Sequence, residues 1–168
     1  MAPEFDAKPM LRALLEHQVD FVVIGGLAGM ARGSSYPSFD LDVACAREGE
    51  NLQRLAEALR ALGATLRGAP AGVAFQLDDR ALKAGANFTF DTRHGSLNIL
   101  GDATGAPSYA KLKEHAGAPH EIDGEPVLVA SLDHLIAMKE AAGRPKDKLM
   151  ATEYRKLSDI VRGADSRA

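Results

Sequence analysis

The chain has 168 residues, 46% of them hydrophobic and 26% charged, a balance that suits one globular domain able to bury a core without staples. A formal charge of −3 argues against a protein that coats nucleic acid by bulk charge, and Cys45, the only cysteine, excludes an intrachain disulfide and a thiolate metal cluster. The N-terminus lacks a secretory pattern and no stretch reaches the roughly 20 apolar residues needed to cross a bilayer, so a cytoplasmic protein without membrane contact is expected.

Leu11, Leu14, Leu15 and Val19 recur at helical spacing and predict an opening amphipathic helix over 8–18. The apolar, β-branched run Phe21 to Ile24 then reads as a buried strand that ends in Gly25-Gly26, with a short helix from Leu27 to Arg32 and a turn-rich loop, 33–38, after it. Leu41 to Ala46 is a second core strand carrying Asp40 and Asp42 at its start. Glu50 to Leu62 shows a helical stripe closed by Gly63.

The middle of the chain is richer in strand signals, at Ala64 to Arg67, Val73 to Leu77, Asn87 to Phe90 and Ser96 to Leu100. A short helix is expected over Pro107 to His115. The Asp123-Gly124 pair between two apolar runs predicts a hairpin. Ser131 suits an N-cap for a helix to about Ala142, Gly143-Arg144-Pro145 interrupts it, and a last helix is expected from Lys146 to Val161.

These elements predict a single α/β (α+β) domain over 1–168, with a mixed sheet flanked by helices over about 20–130 and a helical segment over about 131–163. From Lys139 onward eight Lys or Arg face five Asp or Glu, a balance of +3, which leaves −6 on the remainder. A basic segment against an acidic body suits a cleft for a polyanion such as a triphosphate, although a solvated helix face would look the same.

Asp40 and Asp42, one residue apart on an extended segment, leave the same face with Cα atoms about 7 Å apart. Two carboxylates so placed can grip divalent cations, which join carboxylates to substrate phosphates in phosphoryl and nucleotidyl transfer. An Asp-x-Asp also occurs in ordinary turns. Its weight comes from the preceding strand, whose Gly25-Gly26 turn opens a helix and presents backbone N–H groups suited to phosphate.

The segment Val23-Ile24-Gly25-Gly26, a spacer, then Asp40-Leu41-Asp42-Val43 resembles the signature of the polymerase-beta-like nucleotidyltransferase superfamily. Ser96-Leu97-Asn98-Ile99 resembles its strand bearing a third carboxylate. Lys139 with Arg144-Pro145-Lys146-Asp147 looks like the Lys-bearing helix and Arg-Lys-Asp segment of small AbiEii-toxin-like and minimal nucleotidyltransferases.

The resemblance implies the nucleotidyltransferase fold and transfer of a nucleoside monophosphate from a nucleoside triphosphate to a hydroxyl, on a tRNA end or a protein side chain. It further implies magnesium or manganese on Asp40 and Asp42, phosphate contacts from Gly25, Gly26 and Ser34, charge neutralisation by Lys139, Asp147 as a supporting acid, and an antitoxin partner.

Two positions depart from the pattern. Asn98 stands where a third Asp is usual, and an amide can offer an oxygen to a metal but cannot take a proton. Met150 replaces a carboxylate. Beside the enzyme there is therefore a second reading, a nucleotide-binding or protein-interaction module that kept the fold without turnover. The five histidines show no metal spacing, and hydrolase elbow, Walker and dinucleotide fingerprints are missing from the sequence. Cys45 is read as buried packing.

Overall fold

A computed structural model describes residues 3–69, 76–101 and 107–165. Helix α1 (Ala7–Glu16) is opened by Asp6, whose side chain accepts from Lys8 N, and it buries Met10, Leu11 and Leu14. Strand β1 (Phe21–Ile24) is buried at all four positions, as a continuous apolar run requires when both sheet faces are covered. Helix α2 (Gly25–Ala31) follows without a linker, two residues earlier than the sequence predicts, because Gly25 adopts φ +70° and turns the chain within one residue.

Strand β2 (Asp40–Cys45), helix α3 (Gly49–Ala61) and the two-residue strand β3 (Thr65–Leu66) continue the chain. The expected strand from Val73 to Leu77 falls largely on residues outside those described. Helix α4 (Asp79–Ala84) was not anticipated; six residues give too short a periodicity, although Asp78, which accepts from Ala81 N, is an N-cap signal. Strands β4 (Asn87–Thr92) and β5 (Gly95–Leu100) form a hairpin.

The five strands are ordered β1-β2-β5-β4-β3, with β2 and β5 parallel at the centre and the other pairs antiparallel. This is the mixed α/β architecture expected from the sequence. Helix α5 (Tyr109–Ala116) leads to a small hairpin, β6 (His120–Ile122) and β7 (Glu125–Val127), whose turn places Asp123 at φ 52° and Gly124 at φ 83°. Past β7 the chain bridges to the free edge of β1, through Val23 N to Leu128 O at 2.8 Å and Ala130 N to Val23 O at 2.9 Å.

Helix α6 (Leu132–Ala142) is capped by Ser131 and ends at Gly143, whose φ of 68° lets the chain reverse into the 21-residue helix α7 (Pro145–Asp165). α7 packs along α6 and runs a few residues further than predicted. Two contacts fix α2 in this frame. Tyr154 of α7 lies so close to Gly29 that a Cβ there would meet its hydroxyl at 2.3 Å. Arg32 at the end of α2 donates to the carbonyls of Ala116, Val129 and Ala130.

The core gathers α1, β1, β2, α3 and the inward residues of β4 and β5, with Met150 and Tyr154 from α7. Cys45 lies within it, and burial pushes its thiol up to about 12. Among the described residues no helix is long and apolar enough to cross a membrane.

Candidate active site

Strand register brings the polar residues of the sequence motifs together. Asp42 lies opposite Ile24 on β1 and beside Asn98 on β5, while Asp40 lies beside Ser96. Side chains two apart on a strand share a face, so both carboxylates leave β2 on the side where Asn98 stands. Asp40 is exposed and Asp42 partly enclosed.

Asn98 Nδ2 donates to Asp42 Oδ1 at 2.6 Å, whereas Asn98 Oδ1 is buried and has no hydrogen-bond partner among the described residues. Burial pushes the Asp42 carboxyl above the usual carboxylate range; the Asn98 hydrogen bond and Lys139 oppose this, and Asp40 reinforces it.

The glycine turn is pressed against this pair. A Cβ on Gly25 would stand 2.2 Å from Asp42 Oδ2, and its φ of +70° also disfavours any other residue. A Cβ on Gly26 would meet Ser38 Oγ at 2.6 Å and Ser38 Cβ at 2.7 Å. Ser38 is thus the hydroxyl that lies on the glycine turn.

Ser34, the serine singled out from the sequence, is directed elsewhere. Its hydroxyl donates to Glu153 of α7, as do the backbone N–H of Ser35 at 3.1 Å and the Ser35 hydroxyl at 2.5 Å. These bonds hold the Glu153 carboxyl below its usual range. Proximity to Asp40 could have marked Ser38 in the sequence. Nothing local could have marked Glu153, which lies 118 residues from Ser35.

Lys139 projects from α6 toward Asp42 and is 19% exposed, with Nζ 3.4 Å from Asp147 Oδ1. Asp147 is enclosed, at 2% side-chain exposure. Its other oxygen accepts from Arg144 Nε at 2.6 Å and from Arg144 N at 3.3 Å, the second bond being one half of a capping box at the start of α7. The Arg144 hydrogen bond, aided by Lys139, holds the Asp147 carboxyl below the usual range. Asp147 therefore braces Lys139 and the helix start.

A cavity of about 410 Å³ opens between these groups, with Gly25, Asp42, Lys139 and Asp147 on its polar side and Leu100, Leu135 and Met138 on its apolar side. Gly25, Asp42, Lys139 and Asp147 thus line one cleft, Gly26, Asp40 and Asn98 stand on the adjoining turn and strands, and Ser34 is turned away to Glu153.

A mixed sheet whose paired aspartates lie against a strand-to-helix glycine turn, closed by C-terminal helices, is the nucleotidyltransferase fold. No family model and no curated protein matches the sequence. Among solved structures the chain is similar to the crystal structure of ANT(2″)-Ia in complex with adenylyl-2″-tobramycin, at a TM-score of 0.50 and 17% identity over 89% of this chain and 94% of that one. It is also similar to the solution structure of the antibiotic-resistance factor ANT(2″)-Ia, at a TM-score of 0.51 and 16% identity over 96% and 95% of the two chains.

Proposed function

We propose that this chain is a metal-dependent nucleotidyltransferase that moves a nucleoside monophosphate from a nucleoside triphosphate to a hydroxyl. The observation that carries the reading is the contact of Gly25 with Asp42, the inner member of the Asp40–Asp42 pair, with Lys139 facing Asp42 across a cavity of about 410 Å³. A glycine backbone, two carboxylates and a lysine are what a triphosphate and its cation demand.

The donors fit a hard cation. Asp40 and Asp42 offer carboxylate oxygens, and the unpartnered, buried Oδ1 of Asn98 beside Asp42 is a third oxygen in want of a positive partner. Magnesium or manganese held there would neutralise phosphate charge and polarise the α-phosphorus.

The chain's own groups do the rest. Gly25 and Gly26 admit the phosphates to the backbone, Ser38 supplies a hydroxyl on that turn, and Lys139, held by Asp147, balances the charge of the departing pyrophosphate. Attack by the acceptor oxygen forms the new P–O bond as the bond to pyrophosphate breaks. The acceptor's proton passes to Asp40, the exposed carboxylate, because Asn98 cannot receive it.

The motif resemblance to AbiEii-type proteins supports a cytoplasmic, toxin-like member of a two-gene system with an antitoxin partner, one domain over 1–168, and a tRNA end or protein side chain as acceptor. ANT(2″)-Ia, seen with adenylyl-2″-tobramycin, supports a small-molecule acceptor. Asn98 favours a second reading, a nucleotide-binding module without turnover.

Incubation with magnesium or manganese and each of the four α-labelled nucleoside triphosphates, beside an Asp40→Ala control, tests both. Label transferred by the parent and lost in the control is expected. Nucleotide binding without transfer, with an Asn98→Asp chain equally silent, would select the binding module.

A further inference from the structure

The two carboxylates separate two cavities. The one described above adjoins Asp42, while a second, of about 540 Å³, adjoins the Asp40 end of β2 and is lined by Phe5, Phe39, Arg67, Asp91, Gly95 and Ser96. Register places it beside the reacting centre, since Ser96 pairs with Asp40 on β2 and with Asp91 on β4. Among the described residues none lines both cavities.

Phe39 stands immediately before Asp40, is 72% exposed and lines this second cavity. The opposite wall is fixed. Asp6 N donates to His94 O at 2.9 Å, and the Phe5 ring lies so close to Gly95 that a Cβ there would stand 2.9 Å from it. Arg67 is held as well, donating through Nε to Asp91 Oδ1 at 3.1 Å and through Nη2 to Asp91 and to the Ser96 hydroxyl.

The rim charge follows from this pairing. Arg67 is already paired with Asp91 and lies within electrostatic reach of Asp40, so the cavity disfavours a phosphorylated strand and suits a neutral or cationic guest. Its floor and wall are aromatic, and its volume is that of a small-molecule pocket.

We infer that this second cavity is the acceptor subsite, that Phe39 is its stacking platform, and that it takes a compact, neutral or cationic ring bearing hydroxyl groups. The inference rests on the nucleotidyl-transfer reading and adds the class of acceptor to it. The apolar C–H face of such a ring lies on Phe39, its polar substituents reach Ser96 and Asp91, and one hydroxyl is presented to Asp40 from the side opposite Lys139.

Saturation-transfer NMR with 2-deoxystreptamine, methyl β-glucoside and the RNA trinucleotide CCA, alongside MgATP affinity, tests this on the parent, Phe39→Ala and Phe39→Tyr chains. One or both ring compounds are expected to bind, at least tenfold more weakly to Phe39→Ala and within twofold of the parent to Phe39→Tyr, with MgATP affinity moving less than twofold in both. Binding of CCA in preference to the rings, ring binding indifferent to Phe39→Ala, or no binding of any probe by a parent that holds MgATP would overturn the inference and leave the nucleotide reading standing. A parent that fails to bind MgATP would sink that reading itself.

Discussion

Replacing Gly25 by alanine adds one methyl group at the point where the turn meets the carboxylate pair. The new Cβ would lie 2.2 Å from Asp42 Oδ2, where ordinary contact begins at 3.4 Å, so the carboxylate must move by about 1.2 Å. Asp42 is held in a central strand, and the movement has to come from rotation of its side chain, which breaks the bond from Asn98. Holding a residue with a Cβ at φ +70° costs roughly 1–2 kcal/mol, and losing a hydrogen bond to a charged group roughly 1.5–3 kcal/mol. The sum is about 3–5 kcal/mol. For a chain of this size each kcal/mol lowers the melting temperature by roughly 2–4 °C, so a fall of about 10 °C is expected.

Circular dichroism melting, with and without magnesium, reads both the loss and its coupling to the proposed metal site. Gly49→Ala is the control, because nothing lies within 4 Å of a Cβ there, and it should melt with the parent. A Gly25→Ala chain that melts with the parent and keeps the same response to magnesium would refute the packing argument.

Asn98→Asp should destabilise the metal-free chain by about 3 kcal/mol, since it replaces a donor 2.6 Å from Asp42 by a like charge, and millimolar magnesium should recover most of that loss in a chemical denaturation series. Asp147→Asn should lose about 2 kcal/mol near neutral pH, less than a fully buried pair because Arg144 is 76% exposed. The folded-state carboxyl of Asp147 is held low, so its contribution is complete above the unfolded value of about 4 and fades as pH falls through the lower folded value. Melts of parent and variant should therefore converge in acid and separate as pH rises. Ser38→Ala should leave the melting temperature within about 2 °C, while weakening triphosphate binding severalfold in a nucleotide titration; equal affinities would remove Ser38 from the phosphate site.

Much of this fold can be read from periodicity and turn chemistry. The apolar run before Gly25, the Ser131 cap and the Asp123-Gly124 turn each decide their element locally, and the structure follows them. The carboxylate pair was legible too, because strand geometry puts Asp40 and Asp42 on one face whatever surrounds them. Short elements were harder. Thr65–Leu66 and Asp79–Ala84 are set by pairing and capping over too few residues for a period to emerge.

The serine loop was harder still. Ser34 and Ser38 are equivalent by composition, and what separates them is Glu153, which draws Ser34 toward α7, and Gly26, whose missing side chain makes room for Ser38. Neither contact is local in sequence. Asp147 shows the same limit, since its contact with Lys139 depends on how α7 packs along α6.

Helix α7 touches three parts of the cleft that are far apart along the chain: Glu153 the serine loop, Tyr154 the helix behind the glycine turn, and Asp147 the lysine. During synthesis the strand bearing the carboxylates leaves the ribosome more than a hundred residues before Tyr154 does, a delay on the order of ten seconds. Through that interval the glycine turn and its aspartates exist without the helix that fastens their loop and positions their lysine. A nascent chain therefore holds no closed cleft, and the loop, the glycine turn and the lysine are brought into register in one step, when α7 docks.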